Sequence, residues 1–85
     1  MTRLRPGGDA VETWGAEEEP AGFLWQGGPH PIEKTWNRWQ VHTRWWEPDQ
    51  AVWRDYRKVT TTTGLLCLLY HDRLDGGWFL DRIYD

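Results

Sequence analysis

Residues 59–70 read Val-Thr-Thr-Thr-Thr-Gly-Leu-Leu-Cys-Leu-Leu-Tyr, and the fold follows from this stretch. Val59 to Thr62 are four β-branched residues in a row; such side chains lose rotamer freedom in a helix and pack well on a pleated surface. Leu65 to Tyr70 is apolar at both parities, as in a strand covered on both faces. Thr63-Gly64 between them leaves room only for a tight turn, so the two runs must pair antiparallel. Working backward, Ala51 to Thr62 reads as one long strand, rich in valine, threonine and aromatics. Working forward, Asp75-Gly76-Gly77 is a hairpin signal, and Trp78 to Tyr84 closes the sheet.

The N-terminal half is less regular. Residues 1–20 read as a flexible acidic leader, with residues 21–85 as the folded domain, although Val11 to Trp14 has the look of a short strand. Gly15 to Pro20 reads as a loop, because three consecutive glutamates before a proline neither pair well in a sheet nor bury. Phe23 and Trp25 alternate with Gly22, Leu24 and Gln26 in a short strand, and Gly27-Gly28 supplies a turn. Pro29 to Val41 is ambiguous: Ile32, Trp36 and Trp39 have helical spacing, whereas the flanking glycines and prolines favour a strand from about His30 to Trp36 that bends before Trp39. His42 to Gln50 reads as a loop. Five or six short strands, with no amphipathic helix, predict an all-β antiparallel meander that curls into a half-open SH3-like barrel.

Composition limits the function. The chain has 85 residues, one cysteine and eight tryptophans, five of them between Trp36 and Trp53. A domain of this size buries only about 60% of the surface its unfolded chain exposes, so some of these rings should face solvent and mark a binding surface. One cysteine cannot form an internal disulfide, and no apolar run approaches a membrane span or a secretory signal; both point to a cytoplasmic protein with no membrane partner. The net charge of −3 is uneven. Residues 1–20 carry all of it, whereas residues 34–58 are locally +3 through Lys34, Arg38, Arg44, Arg54, Arg57 and Lys58.

Phe23-x-Trp25-x-Gly27, Ile32, Asn37-Arg38-Trp39, Trp45-Trp46-Glu47 and the ending Gly77-Trp78-Phe79-Leu80-x-Arg82-Ile83-Tyr84-Asp85 together resemble a small bacterial family of unknown function. That family occurs alone in Deinococcus–Thermus-type bacteria. In actinobacteria it also occurs at the C-terminal end of proteins resembling Y-family polymerases of mutagenic repair. The resemblance covers residues 21–85, and the closing segment is its most specific part. It implies an accessory module in DNA damage tolerance and no established activity. Gly28-Pro29-His30-Pro31 departs from the family, which has an arginine-rich stretch and a tyrosine there.

The candidate binding residues are Trp36, Arg38, Trp39, Arg44, Trp45, Trp46, Trp53, Arg54, Tyr56 and Arg57, an interleaving of flat rings and cations. On one reading they dock a protein partner, such as a Y-family-polymerase-like repair protein. On the other they stack the bases of single-stranded nucleic acid, which needs rings for bases and cations for phosphates. The neutral charge of residues 21–85 weighs against the second. A third reading is self-association. Adjacent Trp45 and Trp46 point opposite ways in an extended chain, so one can be buried while the other makes contact. No cofactor motif is present. His30, His42, His71 and Cys67 lack metal-ligand spacing, and a cysteine within an apolar strand is a poor nucleophile. An enzyme is not expected.

Overall fold

A computed structural model describes residues 8–43, 46 and 51–84. Its strands are β1 (Asp9–Gly15), β2 (Pro20–Trp25), β3 (Gly28–Thr43), β4 (Val52–Thr61), β5 (Leu66–Asp72) and β6 (Trp78–Tyr84). Each pairs antiparallel with the next, and β6 returns to β1 through Asp9–Leu80, Ala10–Phe79 and Val11–Trp78. The fold is therefore an all-β six-stranded barrel, consistent with an SH3-like small barrel. The ring is closed rather than half-open, because β1 supplies the edge that completes it. Residues 9–20 thus belong to the folded domain and not to a leader, which corrects the boundary at residue 20; residues 1–7 lie outside the described residues.

The core follows strand parity. Phe23, Val59, Cys67, Leu69, Trp78 and Leu80 fill the interior, with Val11, Trp25, Ile32, Leu65 and Ile83 packed against them. Cys67 is fully enclosed, and burial pushes its thiol up to about 11, which keeps it protonated and inert. Leu65 to Tyr70 behaves as its composition predicts: Cys67 and Leu69 face inward, while Leu68 and Tyr70 are buried on the opposite face.

Two segments differ from the sequence reading, each for a definable reason. The β2–β3 turn is Gln26-Gly27, one residue before Gly27-Gly28, with φ of 51° and 78° at the two central positions. Positive φ at both is the type I′ geometry, which matches the twist of the flanking strands and places Trp25 opposite Gly28. The segment expected to be a strand only from His30 to Trp36 is instead one strand of 16 residues that ends at Thr43. It carries two register shifts against β4, between Ile32 and Lys34 and between Thr35 and Asn37. Each shift inserts one unpaired residue, and the second inserted residue is Trp36. Ile32 and Thr35 consequently face the core beside Thr61 and Val59, while Trp36 and Trp39 emerge on the same outer face. Two bulges, rather than a helix, explain the spacing of Ile32, Trp36 and Trp39.

Candidate functional site: an outer aromatic face and an arginine-lined mouth

Alternation along β4 divides the candidate residues between two surfaces. Arg54, Tyr56, Lys58 and Thr60 point outward; Trp53, Asp55, Arg57, Val59 and Thr61 point inward. The expectation of a single face holding all ten candidates is corrected on this point. Trp36, Trp39, Arg54 and Tyr56 share the outer face, whereas Trp53 and Arg57 turn inward at one end of the barrel, with Arg38 exposed at its rim. Arg44 and Trp45 lie outside the described residues, and Trp46 stands on the β3–β4 connection, 62% exposed.

The outer face carries a row of rings across four strands. Trp39 stacks on Tyr56 at 5.5 Å and 4°, Tyr56 meets Tyr70 at 5.2 Å, and Tyr70 stacks on Phe79 at 5.0 Å. These separations lie in the range where aromatic pairs attract beyond their area burial. Arg54 donates to the Tyr56 hydroxyl at 3.1 Å and lies 4.4 Å above the Tyr70 ring. Further along, Lys34 sits 3.8 Å from the Trp36 ring centre, and the Trp36 indole donates to Thr60 Oγ1 at 3.2 Å. Lys58 approaches the Tyr84 ring at 5.2 Å. Trp36 and Trp39 remain 53% and 43% exposed despite these contacts. Trp36, Asn37, Lys58, Thr60 and Leu66 line a shallow groove of about 270 Å³. Lys34, Lys58, Tyr70 and Phe79 were not among the candidates; Lys58 shares the parity of Arg54 and Tyr56 on β4, and Tyr70 and Phe79 join the row through the cross-strand register Tyr56–Tyr70–Phe79.

The barrel mouth is built differently. The β1–β2 loop, residues 16–19, folds over the end of the barrel and meets three arginines. Arg57 on β4 donates through Nη2 to the Glu18 carbonyl at 3.2 Å and pairs through Nη1 with Glu19 at 3.3 Å. Arg73, in the β5–β6 turn, pairs with Glu18 at 2.8 Å, and Arg38 on β3 approaches Glu19 at 3.8 Å. The Trp78 indole donates to the Glu17 carbonyl at 3.1 Å, while its ring stacks on His71 at 4.7 Å beneath the Arg57 guanidinium. His42 stacks on Trp53 at 4.6 Å. Arg57 is only 3% exposed, and burial pushes its guanidinium below the ordinary value with partial compensation from Glu19. Glu18 and Glu19, which read as part of a solvated loop, are thus partners of Arg57, the most deeply buried arginine or lysine among the described residues.

Glu18, Asp55 and His71 bring ligand-type atoms within 4.8 Å of one another. Arg73 Nη1 already lies among them, 2.8 Å from Glu18, 3.3 Å from His71 Nδ1 and 3.6 Å from Asp55. The guanidinium supplies the positive charge that this group needs. Its hydrogen bond holds the Glu18 carboxyl below its ordinary value of 4.5. A lowered carboxylate pKa contributes stability that is present above the unfolded-state value and lost as pH falls through the folded-state value. Thermal melts of wild type and Glu18→Gln should therefore differ at neutral pH, with wild type the more stable, and converge as pH drops below 4.5. A gap that persists at low pH would mean that the carboxylate charge is not what stabilises the loop.

No protein-family model, curated protein or solved structure matches this chain. No helix among the described residues is long and apolar enough to cross a membrane.

Proposed function

We propose that this domain is a non-catalytic, cytoplasmic binding module that docks a protein partner through the outer face of β3–β6. The setting implied by the family resemblance is DNA repair or translesion synthesis, with a Y-family-polymerase-like protein as the partner. One observation carries the reading: Trp36 and Trp39 lie exposed on the same face because a bulge turns them there. A bulge that exposes a large indole works against burial, and exposed tryptophan is the residue type most enriched where binding energy concentrates. The groove beside Trp36 is smaller than a drug-sized pocket. Lys34, Arg54 and Lys58 around the rings favour a partner with an apolar centre and an acidic rim.

The row of stacked rings also supports a second reading, single-stranded nucleic acid laid across the sheet, because every base offers a π-face to such a platform. Intrinsic tryptophan fluorescence separates the two. A purified polymerase-like repair protein from the same cell should quench and shift the emission at micromolar concentration, and changing Trp36 and Trp39 together to alanine should weaken that binding about 100-fold. Short single-stranded DNA at low salt should leave the emission unchanged. A response to DNA that declines steeply with salt would replace the protein reading with the nucleic-acid one. Retention of the protein partner by a folded double variant would remove the outer face from the interaction.

A further inference from the structure

We propose that the arginine-lined barrel mouth is a binding site for an acidic peptide segment of a partner protein, and that Glu17 to Glu19 occupy it as a built-in competitor. This site borders the outer face at Arg38, which also lines a pocket with Trp39 and Tyr56, but it does not depend on how that face is used.

Three observations lead here. Arg38, Arg57 and Arg73 come from β3, β4 and the β5–β6 turn, yet all converge on one loop of four residues. The loop satisfies them incompletely. Arg57 is 3% exposed, and its Nε has no hydrogen-bond partner among the described residues; neither has the buried Trp53 indole nitrogen further along the same inward face. A guanidinium has five N–H donors, and a buried one left unspent is costly, so the mouth retains donor capacity that its own loop does not use. The outer contacts of the loop are weak: Glu18 and Glu19 are more than half exposed, and the Arg73–Glu18 and Arg38–Glu19 pairs contribute little. Gly15, at φ of 96° beside a register shift in the β1–β2 pairing, starts the loop in a conformation that favours glycine.

The pattern of contacts selects the ligand class. Carboxylates make three of the loop's described contacts with the mouth, to Arg38, Arg57 and Arg73. Two more are made by the backbone carbonyls of Glu17 and Glu18, read by Trp78 Nε1 and Arg57 Nη2. A free phosphate reproduces only the first set. An extended acidic peptide reproduces both. The tethered loop competes at the high effective concentration of an intramolecular ligand, so it lowers the apparent affinity for any incoming segment.

The test uses a fluorescein-labelled peptide with the sequence of residues 16–20, Ala-Glu-Glu-Glu-Pro, followed by anisotropy. Glu18→Gln with Glu19→Gln keeps the loop backbone and removes the competing charges. This variant should bind the peptide about tenfold more tightly than wild type. Adding Arg38→Gln and Arg73→Gln should abolish the binding, whereas Lys34→Gln with Lys58→Gln on the outer face should leave it intact. Equal affinity of wild type and the loop variant would overturn the competitor role. Dependence on the outer lysines, or displacement by inorganic phosphate at equal ionic strength, would overturn the peptide site. Should the loop variant not fold, amide and indole NMR shifts of wild type provide the measurement. Millimolar peptide should move residues 16–19 and the Trp78 indole, and unmoved resonances would refute the proposal.

Discussion

Trp78→Ala is expected to lower the unfolding free energy by about 3–5 kcal/mol, within the range for deleting a buried large aromatic side chain. Small domains have only about 5–15 kcal/mol in total, so the variant should be substantially unfolded by modest urea or gentle warming. The size of the effect comes from three roles in one side chain. The ring is part of the core with Phe23, Val59, Cys67, Leu69 and Leu80. It forms the floor beneath His71 and the buried Arg57. Its indole N–H anchors the β1–β2 loop at the Glu17 carbonyl. Trp78→Phe separates these roles, because it keeps most of the volume and loses the anchor. Urea unfolding should place Trp78→Phe closer to wild type than to Trp78→Ala. Equal losses for the two variants would assign the effect to the loop anchor rather than to the core.

The role of Trp78 also shows which parts of this molecule are legible in its sequence. Strands β4 to β6 are legible because Thr63-Gly64 and Asp75-Gly76-Gly77 punctuate them; parity is uniform along β4 and β5, and the single register shift in β6, at Asp81, comes near the end of the strand. Strand β3 is not legible, because two bulges break its period and make Ile32, Trp36 and Trp39 imitate a helix. A period-2 reading assumes an uninterrupted ladder, and one inserted residue moves every later side chain to the opposite face. The same logic explains the candidate site. Trp36, Trp39, Arg54 and Tyr56 come together as an exposed aromatic and basic face. Trp53 and Arg57, equally aromatic and basic in composition, are turned inward by parity alone. The acidic loop was the least legible element. Three glutamates in a row look like a solvated tail until their partners are known, and Arg57 and Arg73 lie 39 and 55 positions away from Glu18. No local pattern carries that information. It exists only once β1 closes the ring and brings the loop across the mouth.

The closure of that ring depends on a glycine whose role is steric rather than conformational. Gly22 on β2 lies opposite Trp14 on β1, and a Cβ at Gly22 would stand 2.3 Å from the Trp14 ring and 2.9 Å from the His30 carbonyl oxygen. Trp14 is partly exposed, so its ring can swing away into solvent; the His30 carbonyl belongs to the β2–β3 ladder and cannot. Gly22→Ala should therefore cost about 2 kcal/mol, in the middle of the range for overpacking. The cost has two parts, a displaced indole and a strained strand pair, and a double-mutant cycle separates them. Trp14→Ala removes the ring contact and leaves the carbonyl contact in place. In that background Gly22→Ala should cost about 1 kcal/mol less than in wild type, the size of coupling expected between touching residues. Chemical denaturation of the four proteins measures this difference. A Gly22→Ala cost that does not change when Trp14 is truncated would place the whole penalty on the β2–β3 ladder. A cost that vanishes would place it on the indole alone, with the backbone free to adjust.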